Sequence, residues 1–515
     1  MELAEQKQSQ QGAGMTLKVL KGSAWVLAGQ VLPLMATFVT TPFVIRYLGS
    51  ESYGVLLLVG LMATYFNFGD LGMGLASTKF SSEAFAQKDP VKEARVVRTA
   101  AMVSVCSSLM IAIPMFIFSE YIMKDILKVP GKLVKDASLG LKITAIAFVL
   151  NFLAGIFNSP QLARMRMDLN VMIMTGGKLL MIIITPFVLY FGGGIVQACL
   201  VSLGASILML IGNILVSSNL LPALKDFSLS KKDFRPLFVF GRNIVYYGIG
   251  LTFINYIERF VLARTVSVSA LSYYSIASTF AIMTTMFSMA MVQSLIPAFS
   301  QLFTPDKREH LQLLFSRTIR ISLIGILPLI TVLIVIAKPF FTIWAGPEFG
   351  RESIVPYYIL MVGIFFGLLA YIPSSLLLAS GRSTLFARLY LIELVPFGII
   401  VYLLIHWFGI IGAAISFTLK ETVNSMFSIF FARKSTGLFF ELSKYRNGFL
   451  IGVLFLIPPV FAAIFLDFSF WHLILLLAGL IGYGITAFKN ILSVIERDWL
   501  KQRFQVVFSK LRAGR

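Results

Sequence analysis

Eight ionisable residues stand in stretches that are otherwise apolar. Lys178 lies in TGGKLLMIII, and Glu258 and Arg259 are consecutive in FINYIERFVLAR. Lys420 and Glu421 are neighbours in ISFTLKETV, Asp70 sits in FNFGDLGMG, and Arg46 and Arg264 close two long apolar runs. A central Lys or Asp in a membrane helix costs about 2.5–3.5 kcal/mol on insertion scales, so such a residue faces a cavity or a partner. Cations of this kind, Lys178, Arg259, Arg46, Arg264 and Lys420, suit an anionic ligand such as a phosphate. Carboxylates of this kind, Glu258, Asp70 and Glu421, suit a proton or a coupling cation.

Each has a plainer alternative. Arg46 and Arg264 are placed to snorkel to the membrane surface. Asp70 is placed to cap a kinked helix end or to pair with Lys79. Lys420 and Glu421 are placed to neutralise one another. Glu258 and Arg259 point about 100° apart on a helix, so one of them meets polar surroundings. Lys178 has no carboxylate within a helical turn, which favours a cavity. Gln30, Asn67, Asn151, Asn158, Asn255 and Gln293 are polar enough to line the same space or to bond helix to helix.

The elements that carry these residues are membrane spans. The chain has 515 residues, 57% hydrophobic and 13% charged, with a mean hydropathy of +0.85. Soluble domains carry about 25% charged residues. The twenty-residue criterion predicts about fourteen transmembrane helices. They fall near 22–47, 52–77, 99–119, 138–161, 171–191, 195–221, 241–266, 271–298, 321–344, 355–380, 390–407, 409–432, 448–467 and 471–489. The apolar character is uninterrupted, which means helices rather than the alternating strands of a barrel. Residues 1–21 are polar and lack the apolar centre of a signal peptide, so the first span is expected to remain.

Basic residues orient the spans. With the N-terminus inside, inner segments hold 32 Lys and Arg and outer segments 9, with Lys178, Arg259 and Lys420 inside spans. This asymmetry predicts both termini in the cytoplasm. The outer Lys124, Lys128, Lys132 and Lys135 dissent, on one face of an interfacial helix broken at Pro130-Gly131.

The first hairpin returns once. FVIRYLGSESYGVLLL near residue 43 faces FVLARTVSVSALSYYSI near residue 260, and both read helix, arginine, small polar turn, tyrosine, helix. A cytoplasmic Arg-x-x-Arg follows each, Arg95/Arg98 and Arg317/Arg320. The expected fold is all-α: two six-helix lobes related by a pseudo-two-fold along the membrane normal, plus two C-terminal helices. The domains are then 1–221, an N-lobe; 222–240, a cytoplasmic linker; 241–432, a C-lobe; and 433–515, two helices and a basic tail.

Much chemistry is excluded. No segment between spans exceeds roughly twenty residues, too short for a catalytic domain. There is no GK[ST] triplet and hence no P-loop. His310, His406 and His472 are scattered, and Cys106 and Cys199 are both in apolar stretches, so neither a metal, a cofactor nor a disulfide framework is expected. The basic C-tail (Lys501, Arg503, Lys510, Arg512, Arg515) is suited to anionic lipid rather than nucleic acid.

An N-terminal GSAW…GQ…P helix, then IRYLGSESYG, then FGDLGMGLA, resembles the Wzx-type polysaccharide and oligosaccharide flippases of the multidrug/oligosaccharidyl-lipid/polysaccharide exporter superfamily. The likeness is sharpest over Gly22 to about Arg98. It implies a non-enzymatic secondary transporter of the cytoplasmic (inner) membrane. Its cargo would be an undecaprenyl-pyrophosphate-linked oligosaccharide, moved by alternating access. Membrane lipids, a polysaccharide polymerase and glycosyltransferases would be its partners. Alternatives are a cation-coupled multidrug exporter or a lipid II flippase of the same fold. An O-antigen polymerase or ligase would need a larger outer loop than Glu120–Ala137.

Overall fold

The structure is a computed structural model. It describes residues 2–225, 231–285, 295–296, 298–303, 305–382, 384–438, 442–494, 496–498 and 502. Gln293, Pro297, Phe227–Ser230 and the basic tail from Arg503 lie outside the described residues. Among those described the chain is helical, with no strand. In a membrane every backbone N–H and C=O must be satisfied within its own segment, and the apolar runs leave the helix as the available solution.

The helices in order are α1 Glu2–Tyr65, α2 Met73–Ala86, α3 Pro90–Ile117, α4 Gly131–Phe157, α5 Gly176–Tyr190, α6 Ile195–Leu220, α7 Lys231–Thr265 and α8 Val268–Met283. They continue with α9 Arg308–Trp344, α10 Ile354–Ala379, α11 Thr384–Thr436, α12 Leu442–Phe465 and α13 Phe470–Thr486. Among the described residues ten helices are long and apolar enough to cross a membrane, so the protein is a multi-pass membrane protein. Two of the ten hold two predicted spans each. α1 bends at Gly49 (φ 75°) and α11 at Gly409 (φ 56°), where a residue with a Cβ would be strained. The second predicted span does not run through to Ser77. It stops at Tyr65, passes through a turn at 66–72 and resumes as α2. α7 begins at Lys231, inside the predicted linker.

By internal contact the chain forms two units. Unit 1 is Met1–Tyr273 with Leu389–Ile410, and unit 2 is Tyr274–Arg388 with Ile411–Arg515. The core of unit 1 gathers Val55, Leu58, Leu141, Phe148, Cys199 and Leu271. The two hairpin copies meet there: the Ser272 hydroxyl donates to the Ser50 carbonyl at 2.6 Å. α3 starts on Asp89, whose carboxylate accepts from the Lys92 N–H at 2.8 Å, with Pro90 at the first helical position. Smaller cores in unit 2 gather Phe299, Phe315 and Leu376, and Phe449, Leu456 and Tyr483.

Candidate functional site

Unit 1 holds a cavity of about 720 Å³, the size of an organic-ligand pocket. Its wall comes from one face each of both halves of α1, of α4, of α5 and of α6. The wall residues recur at helical spacing: Thr37, Thr40, Thr41 and Val44, then Gly60, Ala63, Thr64 and Asn67, then Thr144, Ala147, Phe148 and Asn151. Lys178, Met181, Ile182 and Thr185 form the α5 stripe.

Among the described residues Lys178 is the single charged residue of this wall, and no Asp or Glu lines it. It is exposed to the cavity, and no hydrogen bond or ion pair from a described residue reaches it. A π-helical turn, Val171–Thr175, precedes α5 and sets its phase. One residue before the lysine, a Cβ on Gly177 would strike Met209, so glycine lets α5 lie close on α6. An ammonium offers three donors and no acceptor. In a low-dielectric wall with no carboxylate to neutralise it, that group attracts an anion.

The other sequence-predicted residues take different places. Asp70 lies in the 66–72 turn, where its two carboxylate oxygens accept from the Gly72 and Gly74 N–H groups at 2.8 and 2.9 Å. It caps the start of α2 rather than pairing with Lys79, which lies between the Phe80 and Phe240 rings at 4.7 and 4.6 Å. Lys420 pairs with Glu421 at 3.2 Å and lies over the Phe417 ring at 4.7 Å. Both belong to unit 2, so the mutual neutralisation weighed from the sequence is the arrangement found. Arg46 and Arg264 are exposed.

Glu258 is buried in α7, and Arg259 is half-buried with its guanidinium 5.5 Å from the Tyr256 ring centre. Tyr65 donates to the Tyr256 carbonyl, tying α7 to α1 within unit 1. Tyr65 also packs edge-on against the Tyr256 and Phe260 rings, and Tyr53, on the same half of α1, is a cavity-wall residue. Of the predicted cations, then, Lys178 lines the cavity, and Arg259 lies on α7, which Tyr65 ties to α1. Asn67 and Asn151 line it with Lys178, one of the two placements the sequence left open.

The sequence reading passed over two features. One is the threonine stripe, whose signal was present as hydroxyls at i, i+3 and i+4 on α1. The other is Glu393, an acidic residue in the apolar run LYLIELVPFG of α11. The packing of Leu391 on Gly250 and of Gly398 on Ile257 sets it beside α7 in unit 1. Among the described residues, no three His, Cys, Asp or Glu side chains gather as a metal site would require.

Comparison with known proteins agrees with this architecture. A Shigella flexneri protein named as an O-antigen transporter is 24% identical over 80% of this chain and 96% of its own. A Haloferax volcanii protein named as a low-salt glycan biosynthesis flippase is 24% identical over 52% of this chain and 59% of its own. The solved inward closed structure of the lipid II flippase MurJ superposes with a TM-score of 0.69 at 16% identity, over 93% of this chain and 100% of that one. The polysaccharide biosynthesis protein family matches residues 19–303, more than half of the chain, and the chain belongs to that family.

Proposed function

We propose that this protein flips a polyprenyl-pyrophosphate-linked oligosaccharide across the cytoplasmic membrane by alternating access. It acts as a secondary transporter and not as an enzyme, with both termini in the cytoplasm. The observation that carries this reading is Lys178, among the described residues the one charge on a hydroxyl-rich cavity wall without carboxylates. A diphosphate needs a cation in a sheltered polar space, and a glycan needs hydroxyl and amide partners. Membership of the family and the names of the relatives support the same cargo class.

A cation-coupled drug exporter is the weaker reading. Cationic drugs call for carboxylates, and this wall has none among the described residues. Arg259, on the helix that Tyr65 ties to α1, is the second cation for the diphosphate. Arg46 and Arg264, exposed at the hairpin turns, meet the headgroup on entry or exit, and Lys420 is held ready by Glu421. Glu258 and Glu421 are the coupling carboxylates. Asp70 is the least available of the three, because both of its oxygens already accept backbone N–H groups. The two six-helix lobes are the moving bodies. The polymerase and glycosyltransferases of the same glycan supply and consume the cargo.

Lys178→Met tests the reading in cells that depend on this gene for surface glycan. The expected result is loss of glycan at an unchanged protein level, with Lys178→Arg retaining more. Normal glycan from Lys178→Met would remove this assignment.

A further inference from the structure

Four of the hydroxyls that line the unit 1 cavity differ from free hydroxyls in one respect. Thr40 donates its proton to the Ala36 carbonyl at 2.9 Å, Thr41 to the Thr37 carbonyl at 2.7 Å, Thr64 to the Gly60 carbonyl at 3.1 Å and Thr185 to the Met181 carbonyl at 2.7 Å. A hydroxyl has one proton and two lone pairs. Once the proton is given to the carbonyl four residues back, the oxygen can only accept from the cavity. Four threonines of the wall therefore face the cavity as acceptors, beside Lys178, a donor of three protons, and the Asn67 and Asn151 amides, which both donate and accept.

We infer that the threonine wall is a glycan subsite that recognises sugar O–H groups as donors, beside the Lys178 position taken by the diphosphate. This rests on the proposed function and deepens it by naming the part of the cargo that each wall residue receives. The arrangement fits one joined chemistry: an anion without protons to give, linked to a polyol rich in them. A second phosphate or a uronate against the threonines would meet lone pairs with lone pairs. A purely apolar ligand would leave the acceptors unpaired, at a cost for each one.

Binding to the full chain in lipid nanodiscs tests this. The probes are undecaprenyl diphosphate and undecaprenyl diphosphate bearing one N-acetylglucosamine. The wild type should bind the sugar-bearing lipid more tightly. Thr40→Val, Thr41→Val and Thr185→Val combined keep the side-chain shape and remove the acceptors. They should weaken the sugar-bearing lipid by about tenfold or more and leave the bare diphosphate within about twofold. The matching triple serine variant should bind both lipids as the wild type does.

Equal affinity of the wild type for the two lipids would overturn the subsite. So would a triple valine variant that binds both normally, or that loses both in step. Lys178→Met separates the two proposals. If it binds the bare diphosphate normally while the valine variant shows its selective loss, the phosphate assignment fails and the glycan subsite stands.

Discussion

Unit 1 and unit 2 each contain a hollow among their helices, and the two are lined in opposite ways. The unit 1 cavity carries Lys178, two asparagines and a set of threonines. The unit 2 hollow, about 380 Å³ between α9, α10 and α12, is lined by Leu327, Ile334, Met361, Phe365, Leu456, Phe461 and similar residues. Its sole hydroxyl among the described residues is that of Thr331, which donates to the Leu327 carbonyl at 3.0 Å. Both hollows rest on the same physics of helices packed by apolar faces. The difference is that one wall was given polar groups at a cost and the other was not. In a membrane, acyl chains can fill a groove that holds a single back-bonded hydroxyl at little cost in polar desolvation, whereas a lysine is retained only where water or a ligand meets it. The lesson is to seek the polar end of the cargo in unit 1 and nothing more specific than acyl chain in the unit 2 groove.

The comparison breaks first at its charge. Lys178→Met should lower glycan export at least about 100-fold, because a charge-assisted contact to a diphosphate would be lost from a desolvated site. Moving the charge across, with Thr331→Lys added to Lys178→Met, should not restore export. Recovery in that double variant, scored by surface glycan staining, would make the two hollows equivalent and end the contrast.

The next effect concerns the ion pairs that brace each unit apart from its hollow. In unit 1 the buried Glu93 accepts two guanidinium bonds from Arg164, at 2.6 and 3.1 Å, and one from the Ser81 hydroxyl at 2.9 Å. In unit 2 the buried Glu496 accepts from Arg320 at 2.6 and 2.7 Å, pairs with Arg317 at 2.9 Å and accepts the Ser493 N–H at 2.9 Å. Removing one member of a buried pair strands the other. Glu93→Gln should therefore cost about 3 kcal/mol, and Glu496→Gln, whose Arg317 partner is exposed, about 2 kcal/mol. Thermal unfolding in detergent measures both. A change under about 0.5 kcal/mol at Glu93 would mean that the pair holds nothing together.

The Glu496 pair also has a pH sign. Burial pushes its carboxyl up, but the Ser493 backbone N–H and the Arg320 guanidinium outweigh burial and hold it below the usual carboxylate range. A depressed carboxyl contributes stability above its unfolded value of about 4.3 and loses it as pH falls through the folded value. The wild type should thus lose stability on acidification below about pH 4.3, and Glu496→Gln should lose less over the same range. Parallel melting curves for the two proteins at falling pH would contradict the assignment.

A smaller effect is expected at Asp70. Asp70→Asn keeps one acceptor oxygen, so the α2 cap should weaken by about 1 kcal/mol with transport retained. Loss of transport at wild-type stability would instead return Asp70 to the coupling carboxylates. The smallest effect belongs to the unit 2 groove: Thr331→Val should change export less than about twofold.

The sequence made the helices legible because apolar runs of twenty residues admit few other structures. It also made Lys178 legible, since a lone lysine in TGGKLLMIII has no neighbour to neutralise it. Asp70 was readable only as a pair of alternatives, because whether a carboxylate caps or couples depends on the backbone turn beneath it. The Arg320–Glu496 pair spans 176 positions, and no local pattern announces it. The threonine wall was missed for another reason. Threonine is ordinary in membrane helices, and its meaning here comes from five helix faces converging on one space. Glu393 was overlooked within a run whose other residues fit a span.

The central claim is that Lys178 holds the diphosphate of a lipid-linked glycan as the chain carries it across the membrane. The most direct measurement is flipping in proteoliposomes. Undecaprenyl diphosphate bearing N-acetylglucosamine is placed in the inner leaflet, and its arrival in the outer leaflet is followed by an impermeant lectin. Wild type should deliver the lipid, Lys178→Arg should deliver part of it, and Lys178→Met, inserted to the same level, should match empty vesicles. Wild-type flipping by Lys178→Met would contradict the account.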